Sequence, residues 1–394
     1  MKKTIKKESA KLSDWLVEIR RDLHAHPELG LQETRTSAKV AEQLQRFGLE
    51  VATGIGTTGV VGLLKGGSPG RTIAIRADMD ALPITEETGL PFASRNKGVM
   101  HACGHDGHTA MALGAARLLS GLREHLCGNV KFIMQPAEEN YGGARDLVEE
   151  GVLEDPRVDA IIALHIDAHE AVGKLIIKSG PVGASADVFM ISINGKGGHG
   201  SEPQDCVDPI HIAAHVITAI QTMIPRTLDA RDPVVASVCS IQGGTAFNVI
   251  PDSVHFGGTV RTLSSERRAE MPKKMEAIVR GITATFGATF DFTYVHGAPV
   301  NSNEPAVTEL MRGVARELWG AEGVIEMEKP HMGSEDYSYY LEKVPGAMGM
   351  LGASKGGSAE YPSHHPKFDF DERCLPFGVE LLAATAVKFL NGKI

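Results

Sequence analysis

Apolar residues recur at intervals of three and four near the start of the chain, at Leu12, Trp15, Leu16, Ile19 and Leu23, and again from Ala38 through Val40, Ala41 and Leu44, stopping near Gly48. Two helices are expected to open the chain. The pattern then shortens to continuous apolar runs, Val60 to Leu64, Ile73 to Ala77, Val130 to Met134 and Ile161 to Leu164, with a helical stretch from Thr109 to Leu119 between the middle two. Short runs of this kind read as strands buried on both faces, and the alternation with helix predicts an α/β sheet. Asp78 and Asp80 follow one of these strands, Glu138 and Glu139 follow the next, and His165 closes a third. Open α/β sheets bind ligands at the carboxyl ends of their strands, so these polar residues stand where chemistry is expected.

From about Ala184 the rhythm changes to strand (Val188 to Ile193), helix (Pro209 to Ile224), strand (Val234 to Ser240), strand (Val254 to Thr262), helix (Met271 to Phe286) and strand (Ala288 to Val295). That is the β-α-β-β-α-β order of a ferredoxin-like unit. Helical patterns resume at Ala306 to Leu318 and Leu375 to Leu390. The predicted fold class is α/β: a mixed-sheet catalytic domain with helices on both faces, from residues 1–183 and 297–394, interrupted by an inserted ferredoxin-like α+β domain at residues 184–296.

Composition narrows the partners. With 394 residues, 42% hydrophobic and 23% charged, the chain reads as globular, and no apolar run reads as long enough to cross a bilayer. A formal net charge of −9 argues against a general nucleic-acid binder and for a small-molecule partner. The lysines of Met1 to Lys7 are followed by Glu8, Lys11 and Asp14 rather than by the apolar core of a signal peptide, so a cytoplasmic location is expected. Five scattered cysteines, Cys103, Cys127, Cys206, Cys239 and Cys374, make a disulfide framework an unfavoured reading.

The segment His101-Ala-Cys-Gly-His-Asp-Gly-His108 packs three histidines, a cysteine and an aspartate into eight residues. Thiolate and imidazole together suit zinc and its first-row neighbours, and Gly104 lets the Cys103 and His105 side chains converge. A buried thiol beside a core histidine is the bland alternative, and a Cys-His nucleophile the sharper one. A thiol nucleophile has no need of two adjacent acids, so Glu138 and Glu139 favour the metal: one as ligand, the other as general base, with the spacing leaving open which is which. His165 and either of His364 and His365 gain weight because two metals need more protein ligands than Cys103, His105 and one glutamate. Two dications against one thiolate and one carboxylate leave about +2, a site that would attract an anionic substrate. His24 and His26 close a helix before Pro27, where imidazole interacts favourably with the helix dipole, and are not read as ligands. Gly195 to Ser201 lacks P-loop spacing and reads as a glycine-flanked His199 presented toward a cleft.

Arg21 to Gly30, Arg76 to Pro83, His101 to His108, Pro136 to Glu139, Gly243 to Asp252, Gly333-Ser-Glu-Asp-Tyr337 and His364 to Asp371 together resemble, in order, the signatures of the M20 metallopeptidases and of their amidohydrolase branch, the aminoacylases, hippurate hydrolases and auxin-conjugate hydrolases. The resemblance implies two divalent metal ions (Mn2+, Zn2+, Co2+ or Ni2+) bridged by Cys103, with His105, Glu139, His165 and His364 completing the ligand set and Glu138 as general base. It picks His364 over His365, matches Asp80 to an aspartate that supports a ligand histidine, and assigns His199, Asn248 and Arg261 to the substrate carboxylate or oxyanion, from either subunit. It also implies that the inserted domain is a lid and dimerisation domain, giving a homodimer or higher homo-oligomer. Where many relatives have a further histidine after the lid glycines, this chain has Pro203-Gln204, so a substrate preference is not borrowed from them. The expected activity is hydrolysis of the amide of an N-acyl amino acid that keeps a free carboxylate, by a metal-activated water. A dipeptidase or carboxypeptidase on the same fold is the alternative, and a noncatalytic metal-dependent binding protein the third.

Overall fold

The structure is a computed structural model that describes residues 1–140, 142–356 and 361–392. Three helices open the chain, α1 (Lys2–Lys11), α2 (Ser13–Ala25) and α3 (Thr34–Arg46), where the apolar spacing predicts two. The addition is α1, a lysine-rich helix that buries Ile5 and Ser9 and gives little periodic signal. Strands β1 (Glu50–Ile55), β2 (Gly59–Lys65) and β3 (Ser68–Asp78) follow, then α4 (His105–Ser120), β4 (Cys127–Gln135), α5 (Gly143–Glu149), β5 (Ala160–Ala171), β6 (Leu175–Ile177) and β7 (Gly180–Gly183). Next come β8 (Asp187–Asn194), β9 (Gly198–His199), α6 (Pro209–Thr227), β10 (Val234–Gly243), β11 (Val249–Ile250), β12 (Ser253–Thr262), α7 (Ser265–Phe286) and β13 (Thr289–His296). The described chain ends with β14 (Asn301–Asn303), α8 (Pro305–Trp319), β15 (Val324–Glu326), α9 (Ser338–Leu341), β16 (Gly346–Ser354) and α10 (Leu375–Asn391).

Two compact units result, one from residues 1–180, 302–329 and 336–394, the other from residues 181–301 and 330–335. The first is built on an eight-stranded mixed sheet of order β1-β2-β4-β3-β5-β16-β6-β15. Strands β4, β3, β5 and β16 run parallel to their neighbours in that order, while β1, β2 and the β16/β6 pair are antiparallel. Side chains of a strand alternate between faces, and β3 shows the consequence: Ile73, Ile75 and Ala77 join the core under α2, α3, α4, α8 and α10, whereas Ala74 joins a second core with residues of α5 and α9. Helices therefore cover both faces. β5 continues to Ala171 rather than ending at His165, because β16 pairs alongside it with Met350 opposite His165 and Gly352 opposite Asp167. His165 is a mid-strand residue, a correction to its expected place.

The stretch Glu372–Asn391 has the length and, at 1.3, the mean hydropathy of a membrane span, which corrects the reading that no such run exists. It is largely α10, and 72% of its most apolar window is buried inside the fold, with Val379, Leu382, Ala386 and Phe389 in the main core.

In the second unit, four antiparallel strands in the order β10-β12-β8-β13 stack one face on α6 and α7. Phe189, Ile191 and Ile193 of β8 meet Ile212, Val216 and Ile220 of α6 and Met271, Met275 and Val279 of α7. Val188 and Met190, on the alternate positions of β8, are exposed. Both helices start on side-chain caps: the Asp208 carboxylate accepts from the Ile210 and His211 amides, and Ser264 from Arg267.

Candidate metal centre

Gly104 takes φ +86°, a left-handed conformation open to a residue without Cβ, and the chain turns there directly into α4 at His105. With this turn, donor atoms of Cys103, His105 and His165 lie within 4.8 Å of one another. A second set, Cys103, Glu139 and His364, meets the same limit and shares Cys103 with the first; a third joins His105 to Glu138 and Glu139. Six of the residues singled out in the sequence thus converge, from the turn before α4, the loop after β4, the middle of β5 and the loop before α10.

Hydrogen bonds fix which atoms face inward. His165 Nδ1 donates to the Ile166 carbonyl at 2.8 Å, leaving its Nε2 3.5 Å from Cys103 Sγ. His105 Nδ1 donates to the Asp80 carbonyl at 2.9 Å, and its buried Nε2 has no hydrogen-bond partner among the described residues. Asp80 also accepts the Glu139 amide at 3.0 Å, so one aspartate orients an imidazole and a carboxylate. Glu139 Oε1 lies 3.2 Å from His364 Nε2 and 3.9 Å from His105 Nε2, neither with hydrogen-bond geometry. His165 Nε2 and Cys103 Sγ share a hydrogen bond, while His105 Nε2 and Glu139 Oε1 converge on the same space with no hydrogen-bond partner among the described residues. That is the arrangement a cation satisfies, and thiolate, imidazole and carboxylate suit zinc and other first-row divalent ions, so the residues fit such a group. Glu138, buried beside them, accepts the Asp336 amide at 3.4 Å.

The charges agree. Burial pushes the Cys103 thiol up, but the His165 charge and the surrounding imidazoles of His105 and His364 outweigh it and hold the group well below the usual thiol range. His364 is pushed up to about 10 by Cys103 and then Glu139. Divalent ions would replace the protons that these imidazoles otherwise share with the thiolate. Two residues here hold left-handed backbones without being glycine: Ala137 at φ +51° and His364 at φ +69°. Such strain costs about 1–3 kcal/mol and persists where surroundings over-determine it. Glu33 Oε1 holds the Ala137 amide at 2.9 Å, and the His364 amide donates to the Ala102 carbonyl at 2.7 Å, one residue from Cys103.

His101 and His108 of the sequence cluster lie outside these three donor sets, although the His108 ring is 4.8 Å from that of His165. His108 donates through Nδ1 to Asp78 at 2.6 Å and accepts the Ile166 amide on Nε2 at 2.9 Å, so both nitrogens are committed. His101 is buried, and burial lowers it to about 4. His26 Nδ1 donates to the Asp22 carbonyl at 2.8 Å in the last turn of α2, as a helix-ending histidine should, whereas His24 is buried and contacts Asp106 and Glu86, so carboxylates rather than the helix dipole hold it. His199, Asn248 and Arg261 belong to the second unit. His199 pairs with Val249 across β9 and β11, the Asn248 carbonyl accepts the Gly200 amide at 2.9 Å, and Arg261 lies on β12 opposite Val235.

A buried polar lattice escapes sequence reading. Arg76 donates to Gln135 and Asp78, each at 2.7 Å, and to Asp336 at 3.1 Å; Asp336 also accepts from Gln135 at 2.7 Å and from the Ala144 amide at 2.9 Å. Its signal was present as an arginine within the apolar run of β3.

A large mixed sheet with a thiol, imidazoles and carboxylates gathered on and beside its strands is the build of a metal-dependent hydrolase. The chain belongs to peptidase family M20/M25/M40, whose sequence profile matches residues 74–388. It is 41% identical to thermostable carboxypeptidase 1 of Saccharolobus solfataricus, over 98% of each chain. It is also 41% identical to an N-acetylcysteine deacetylase of Bacillus subtilis, over 95% of this chain and 97% of that one. Among solved structures, a Bacillus subtilis dinuclear metal binding peptidase of the M20 family superposes with a TM-score of 0.86 at 38% identity, covering 98% of this chain and 99% of that one. The protein is a hydrolase of this family, with relatives named as both amide and peptide hydrolases.

Proposed function

We propose that the protein hydrolyses the amide bond of N-acyl amino acids or related conjugates, releasing a carboxylic acid and a free amino acid. The observation that carries this reading is the pair of donor sets sharing Cys103: Cys103, His105, Glu139, His165 and His364 would hold the two divalent ions, with a second carboxylate, Glu138, beside them. Divalent ions held by such a set would supply Lewis-acid polarisation of an amide carbonyl and a more nucleophilic water near neutral pH. Glu138 takes the proton from the attacking water and returns it to the leaving nitrogen. The Asp336 amide steadies the Glu138 carboxylate, and Asp80 keeps the His105 tautomer that turns Nε2 inward. His199, Asn248 and Arg261 bind the substrate carboxylate or oxyanion, for which the planar guanidinium of Arg261 offers paired donors. The second unit serves as lid and dimerisation domain, and the enzyme works in the cytoplasm.

Similarity to a thermostable carboxypeptidase favours a second reading, cleavage of a C-terminal peptide bond by the same residues. Amine release from N-acetyl, N-benzoyl and indoleacyl amino acids and from dipeptides, with chelator and after adding manganese or zinc, separates the two. Metal-restored release from the acyl amino acids alone supports the first reading, and release from dipeptides alone supports the second. Chelator-resistant activity that a thiol alkylator abolishes would overturn both and make Cys103 a nucleophile.

A further inference from the structure

Helix α6 carries a feature the hydrolytic centre does not use. His211 and His215 sit one turn apart on its exposed side and share a hydrogen bond between their Nε2 atoms at 3.2 Å, so that a cation would take the place of the one proton between them. Residues at this spacing face the same way on a helix, the spacing by which two histidines of HExxH helices hold zinc. We propose that His211 and His215 form a separate chelating site for a divalent first-row transition cation, bound most strongly as Cu2+.

The geometry supports a chelate. With metal to nitrogen distances of about 2.0–2.1 Å, a separation of 3.2 Å between the two nitrogens subtends about 100°, between the square-planar and tetrahedral angles. The rings are also held in place. Phe286 stacks on His215 with centroids 5.6 Å apart and planes at 22°, and meets His211 edge-on at 5.5 Å. Two imidazoles braced by one phenyl ring lose less freedom on binding than two free side chains would. The Asp208 carboxylate, on the first-turn amides of α6, places negative charge at the helix end that would otherwise repel a cation. Imidazole nitrogens suit copper, nickel and zinc, and copper leads that order of affinity.

The test is titration of the full chain with Cu2+, followed by calorimetry and electron paramagnetic resonance, against His211→Gln, His215→Gln and the double variant. Glutamine keeps helix propensity at these exposed positions, and unchanged circular dichroism checks it. The full chain is expected to bind one more equivalent of copper than the double variant, with hyperfine splitting from two nitrogens. Each single variant should weaken that equivalent by about 100-fold, because a chelate becomes a single ligand. Adding Cys103→Ala should leave the one-equivalent difference intact. Equal stoichiometry in the full chain and the double variant, unchanged affinity in either single variant, or a difference that disappears with Cys103→Ala would overturn the proposal.

Discussion

Glu138 and Glu139 are adjacent in the chain and differ in what surrounds them. Glu139 has an oxygen 3.2 Å from His364 Nε2 and its amide on Asp80, and burial pushes its carboxyl up, so it sits among donors that gain from a cation. Glu138 is held by the Asp336 amide, a bond that glutamine can also accept. Glu138→Gln should therefore lower kcat by about 10²- to 10⁴-fold, the usual contribution of a general base, while metal content by mass spectrometry stays at the wild-type level. A Glu138→Gln enzyme of near-normal rate would remove this residue from the proton path. Adjacency in sequence raises the expectation that one acid binds and one reacts; the hydrogen bonds by which their surroundings differ come from Asp80 and Asp336, far away in the chain.

At the scale of elements, the centre depends on how α4 is anchored. Arg20 of α2 is fully buried and donates to Asp106 of α4 at 2.8 Å and to Asp369 and Glu372, just before α10, at 3.1 Å each, with its guanidinium 4.3 Å from the centre of the Phe370 ring. Removing one partner of a buried ionic cluster leaves uncompensated charge and costs about 3–5 kcal/mol. Arg20→Met should show that loss as a lower urea midpoint. Arg21→Ala, which removes an exposed side chain from the same Glu372, should cost no more than about 1 kcal/mol. Similar losses for the two would mean that the buried cluster does not anchor α4.

The same scale shows what the chain makes legible. β3 and β4 announce themselves as apolar runs with acids after them, and the helices of the second unit as periodic stretches between turn residues. β16 does not, because its sequence Gly346-Ala-Met-Gly-Met-Leu-Gly-Ala-Ser354 is dominated by small residues. The reason is packing: a Cβ on Gly349 would sit 2.5 Å from Leu175 Cδ1. A central strand was given up to small side chains so that its neighbours could close over it, and hydrophobic patterning does not register that. β1 is hidden for the opposite reason, since an edge strand with mostly exposed positions carries little apolar signal.

For the whole molecule, the two units differ in what holds them together. The proposed ligands all belong to the first unit, between Cys103 and His364, whereas the core of the second is closed by β8, α6 and α7 with none of them. An ion that binds the folded form stabilises it by mass action, about 2.7 kcal/mol at a concentration 100 times its dissociation constant. Removing it should act where its ligands are. Hydrogen exchange followed by mass spectrometry, with chelator and again after manganese or zinc, should show faster exchange in peptides covering residues 101–109, 136–140 and 163–166, reversed by the metal, while β8 and β12 of the second unit keep their rates. The segments are far apart in sequence, so a joint response is not explained by local fraying of any one of them. It requires a shared ligand. If chelation left these three segments unchanged, the ions would not be tying them together; if it loosened β8 and β12 as strongly, the effect would be general destabilisation, and the assignment of the metal to the Cys103 cluster would fail.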